Sequence, residues 1–129
     1  MPFTNSRVPA AALWTLIVLQ LIMLTALYAK VPPHPPLSTP LFGLAPFLGM
    51  ALAVAAAALC MGPSETLVGR SLTLIAAVLA AVSFGPQKYF DAQFALIWPA
   101  VITGQIAILV LIANTFRDAV ESPRTTAIL

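Results

Sequence analysis

Charge is so sparse in this 129-residue chain that four long stretches carry none. No Asp, Glu, Lys or Arg occurs from Val8 to Ala29, from Val31 to Ser64, from Ser71 to Gln87, or from Ala92 to Phe116. A bilayer core about 30 Å thick is crossed by about 20 apolar residues in helical form. Hydrophobic residues make up 60% of the chain and charged residues 8%, against about 25% charged in soluble domains. One small core cannot hide that much apolar surface, so the expected solvent is lipid. The pattern predicts a single all-α membrane domain over residues 1–129, an up-down four-helix transmembrane bundle.

Each span has a start and a stop. Span 1 is expected over 7–30, with Asn5 or Ser6 as its cap and a stop before Val31-Pro32-Pro33, because a residue preceding proline is pushed out of helical geometry. The run Ala10 to Ala29 exceeds the apolar length of a cleavable leader and reads as a retained signal anchor. Span 2 is expected over 40–61, with Ser38 or Thr39 as N-cap, Pro40 in the first turn, and Gly62-Pro63 as the stop. Span 3 is expected over 65–84, capped by Ser64, with Glu65 at the positive end of the helix dipole and Gly85-Pro86 as the stop. Span 4 is expected over 92–116 behind Asp91, with a short tail over 117–129 that can continue as helix to Ser122-Pro123. Pro46 and Pro99 lie inside spans 2 and 4 and predict kinks there.

The distribution of Lys and Arg orients the bundle. Arg7, Arg70, Arg117 and Arg124 fall on one face, and Lys30 and Lys88 on the other. That asymmetry predicts both termini inside. The outer side then holds Tyr28, Phe42, Phe47, Phe84, Tyr89, Phe90, Phe94 and Trp98, eight of the eleven aromatics. It also holds a polyproline-like loop around Pro33, His34 and Pro35. An aromatic belt accounts for this rim. The alternative is a partner-docking surface built from Pro33, His34, Pro35, Lys88, Tyr89, Phe90 and Trp98.

Small residues recur at four-residue spacing, as Gly49/Ala53/Ala57, Ala51/Ala55, Ala76/Ala80, Ala77/Ala81 and Ala100/Gly104. Such rows let helix backbones approach closely. Spans 2 and 3 are expected to pair across their short connection, leaving the bulkier spans 1 and 4 outward. Gln20 and Gln105 fall near mid-span and are expected to bond each other, Thr103 or backbone as structural glue. Contact with a polar headgroup such as a quinone carbonyl is the other reading.

The chemical inventory is short. No acid is expected within any span, whereas proton-coupled transport requires a titratable group in the membrane. Small multidrug exporters share this size and depend on a buried acid in the first span, where this chain has Gln20. One histidine, His34, cannot supply a bis-histidine haem, and His34 with Cys60 is too sparse for zinc. The lone Cys60 excludes an internal disulfide. A net charge of +2, widely scattered, gives no nucleic-acid patch.

The expected function is therefore non-catalytic. The chain reads as a small accessory subunit of a larger complex in the bacterial inner membrane, of respiratory or photosynthetic electron-transfer type. It is expected to hold no cofactor or metal of its own, to contact lipid, quinone or pigment held by partners, and to pack on other integral membrane subunits. No soluble small-molecule substrate is evident. The alternative is a small homo-oligomeric transporter or channel for a neutral or lipophilic solute.

Overall fold

The computed structural model describes residues 7–31, 40–92 and 94–121. They form four helices and no strand: α1 (Arg7–Ala29), α2 (Leu41–Met61), α3 (Leu67–Phe84) and α4 (Phe94–Glu121). A 3-10 turn, Pro86–Phe90, joins α3 to α4. All four helices are long and apolar enough to cross a membrane. Each packs on its neighbours in the chain, and α1 closes the ring against α4. Leu13, Leu16, Leu48, Ala55, Ala58, Ala77, Ala80 and Leu111 meet in the core.

The ends follow local chemistry, with some shifts from the sequence expectation. Helix α1 stops at Lys30, which adopts φ 56°. The Val31 amide donates to Ala26 O (3.0 Å) and the Lys30 amide to Leu27 O (3.4 Å). This is a Schellman termination with lysine where glycine is usual. Helix α2 begins one residue later than expected, with extended Pro40 as its N-cap. The expected caps Ser38 and Thr39, like Asn5 and Ser6, lie outside the described residues. Gly62 ends α2 at φ 81°.

Helix α3 begins at Leu67, not at Glu65, and its cap is Thr66, not Ser64. The reason lies in the preceding turn. The Glu65 amide donates to Gly62 O (3.3 Å) and is thereby committed to the connection. Thr66 Oγ1 accepts from the Gly69 amide (2.8 Å) and donates to Met61 O (3.0 Å). One hydroxyl thus ties the end of α2 to the start of α3. At the other end of α3, Gln87 Nε2 donates to Ala81 O and Val82 O (3.0 and 2.8 Å). Val82 O has no in-helix donor of its own, because residue 86 is proline and carries no N–H.

Helix α4 starts at Phe94, two residues later than expected, and runs on to Glu121. Both α2 and α4 continue as helix through Pro46 and Pro99.

Burial corrects the expected outward pair. In the apolar stretches of the four helices, 39% of α1 and of the α3 segment is buried, against 22% of α2 and 28% of α4. Helix α2, not α1, is the more exposed. Its inward row is Ala51, Ala55 and Ala58, while Gly49 and Ala53 face outward. A Cβ on Gly49 would meet nothing within 4 Å. Close approach occurs elsewhere: a Cβ on Gly104 would lie 2.9 Å from Phe84 Cβ.

Candidate functional site

Threonines and an asparagine inside the helices satisfy themselves locally. Thr15, Thr73, Thr103 and Thr115 each donate to the carbonyl four residues earlier, at 2.6 to 2.9 Å. Asn114 does the same to Val110 O (2.8 Å). A hydroxyl in apolar surroundings takes this partner because no water competes for it.

The two glutamines do not follow the expected pairing. Gln20 is fully buried, and its Oε1 has no partner. Gln105 accepts at Oε1 from the Tyr89 hydroxyl (2.7 Å), while its Nε2 is buried without a partner. The bond from Gln105 Nε2 to Gln20 Oε1 is therefore not made. Thr103 turns to Pro99 O and does not reach Gln105. What binds Gln105 is the turn after α3. Tyr89 is also placed by its tilted ring contact with Phe94, centroids 5.2 Å apart.

The expected docking set divides. Pro33, His34 and Pro35 lie outside the described residues. Phe90 is 92% exposed and Trp98 is 52% exposed. Tyr89 is exposed along its ring but engaged at its hydroxyl. Lys88 is half-buried, with its ammonium 3.8 Å from the Asp91 carboxylate. Asp91 accepts the Phe94 amide with its main-chain oxygen (3.1 Å).

Two ionisable side chains in the helices have an importance that sequence reasoning missed. Asp118, on the last turns of α4, is buried, with Oδ1 3.9 Å from Arg117 Nε and Oδ2 unpartnered. It lies beyond the expected span over 92–116, on the part of α4 that continues as helix to Glu121. The signal was present in the spacing. Val101, Gly104, Ile108 and Leu111 form the buried row, and Asp118 falls seven residues after Leu111 on the same face. Arg70, in the first turn of α3, donates weakly to Ser64 O (3.4 Å) and buries an unpartnered Nη1.

A cavity of about 260 Å³ lies between α1, α3 and α4, lined by Met23, Phe84, Ile97, Ala100 and Val101, with Ser83 and Lys88 as its polar members. A wider groove of about 420 Å³ follows α1 and α4 from Arg7 and Thr15 to Thr103 and Val110. Among the described residues, no three His, Cys, Asp or Glu side chains gather as a metal site. Cys60 is free and exposed.

The arrangement offers apolar surfaces, one buried amide at Gln20, a half-buried one at Gln105, and one lysine-lined cavity. No nucleophile-base pair is formed by the contacts described above. Comparison with family models, curated proteins and solved structures gives no match, so the fold and these contacts stand as the whole basis for a functional reading.

Proposed function

We propose that this protein is a non-catalytic accessory subunit of a larger complex in the bacterial inner membrane, and that α2 is the helix it offers to its partner. In this reading the four helices run up and down, with both termini inside, as the Lys and Arg distribution favours.

The carrying observation is the outward face of α2. Gly49, Ala53, Ala56 and Cys60 are all exposed, and they make a shallow, smooth strip. Lipid tails gain nothing from a small-residue face, whereas a second helix gains close van der Waals packing. The outward face of α4 has the opposite character, with Leu96, Ile106, Leu109 and Phe116 exposed. Bulky residues there suit lipid.

The test is extraction in mild detergent, with cross-linking through the single native thiol, Cys60, which lies on the proposed face. A stoichiometric partner that links to Cys60, and is lost in folded Gly49→Leu and Ala53→Leu variants, supports the proposal. The visible absorption of that material then shows whether the host carries haem or pigment. Recovery of the protein alone, with Cys60 freely reactive in native membranes, overturns the proposal.

The cavity and the groove along α1 and α4 favour a second reading, a homo-oligomeric transporter or channel for a neutral or lipophilic solute. A Cys60 link joining two copies of this chain, with solute flux in vesicles, would support that reading instead.

A further inference from the structure

The cavity between α1, α3 and α4 lies away from α2 and is independent of partner docking there. Its floor is Met23, Phe84 and Val101, all buried. Its mouth is flanked by Ile22 and Leu96, which are 60% and 68% exposed on the lipid-facing surface. At about 260 Å³ it is larger than the roughly 150 Å³ apolar cavity that admits a benzene ring. An apolar pocket that opens sideways into a bilayer is reached first by lipid chains.

Lys88 is the one charged residue lining this cavity among the described residues, and its side chain is only 18% exposed. An ammonium held there attracts a phosphate. Asp91, 3.8 Å away, opposes a headgroup of net negative charge and welcomes a cationic one. The two charges together match a headgroup that carries both signs. We propose that the cavity holds one acyl chain of a zwitterionic aminophospholipid, with its phosphate at Lys88 and its amine toward Asp91.

The experiment is native mass spectrometry of delipidated full-length protein. The added probes are phosphatidylethanolamine, phosphatidylglycerol and diacylglycerol with identical chains. The expected result is a persistent phosphatidylethanolamine adduct, with the other two retained less. Lys88→Ala is expected to weaken that adduct roughly tenfold, the scale of one lost charge-assisted hydrogen bond. Ala100→Phe fills the cavity and is expected to abolish it. Leu96→Trp covers the mouth from an exposed position, and so tests the same point without burdening the core. Equal retention of the three probes overturns the proposal, as does an adduct that survives in folded Ala100→Phe or Leu96→Trp protein.

Discussion

Gly69 sits directly beneath the carbonyl of Gly62, so that a Cβ at position 69 would overlap that oxygen. Two glycines seven residues apart thus close the turn between α2 and α3. Gly62 supplies the left-handed conformation, and Gly69 supplies the space. Neither function can pass to alanine, for different reasons.

Gly69→Ala is expected to destabilise the protein by about 1–3 kcal/mol, the usual range for overpacking against backbone. Gly49→Ala is the matched control. Its Cβ meets nothing, and removing glycine from a helix interior is expected to stabilise by about 0.5–1 kcal/mol. Thermal unfolding in one detergent, followed by circular dichroism, should move the two melting points in opposite directions.

Thr66→Ala removes the oxygen that accepts from Gly69 and the hydroxyl that donates to Met61. Loss of an N-cap costs about 1 kcal/mol. Thr66→Ser keeps both bonds and should melt near the wild type. Equal losses in the two variants would mean that the methyl group, not the hydroxyl, stabilises this junction.

Tyr89→Phe leaves Gln105 Oε1 without its donor. This bond lies on the exposed side, so the expected loss is the net value of an ordinary hydrogen bond, about 0.5–1.5 kcal/mol in melting stability. Gln20→Leu should do the reverse, because it replaces an acceptor that already lacks a partner with an apolar group of similar size. Its expected effect is neutral to stabilising, read as melting temperature. A large loss in Gln20→Leu would show that this amide serves a partner or ligand.

Lys30→Gly removes a side chain from a left-handed position, where a non-glycine residue costs about 1–2 kcal/mol. The expected gain appears as slower amide exchange at Lys30 and Val31 relative to wild type. No change there would mean that contacts of the lysine stem offset the strain.

The helix limits were legible because they rest on local punctuation. Gly62-Pro63 and Gly85-Pro86 end α2 at Met61 and α3 at Phe84, where they were expected, and in these two helices only the starts moved, by one or two residues. The site was less legible because it depends on rotation. Gln20 and Gln105 can both be counted to mid-span, but whether they face each other is set by how α1 and α4 turn about their axes. The rows on α2 pose the same difficulty. Gly49/Ala53 and Ala51/Ala55 are equally small, and only the bulk of neighbouring helices decides which row is covered. Tyr89 was placed on the outer rim for its ring, and nothing in a local pattern points its hydroxyl back to Gln105. Asp118 was overlooked for a simpler reason. It follows Arg117, and a charged pair at the end of an apolar run reads as the edge of the membrane, even when one member continues the buried row.

That pair also acts on α4 as a whole. The helix has 28 residues, roughly 42 Å at 1.5 Å per residue, well beyond a core of about 30 Å. A helix with so much spare length could slide through the bilayer if its ends were neutral. Moving Arg117 and Asp118 toward the bilayer centre would cost about 2.5–3.5 kcal/mol for each charge. The Lys88–Asp91 pair just before Phe94 closes the other end in the same way, so in a bilayer α4 would be held between two charged limits, with α1 and α3 packed along it.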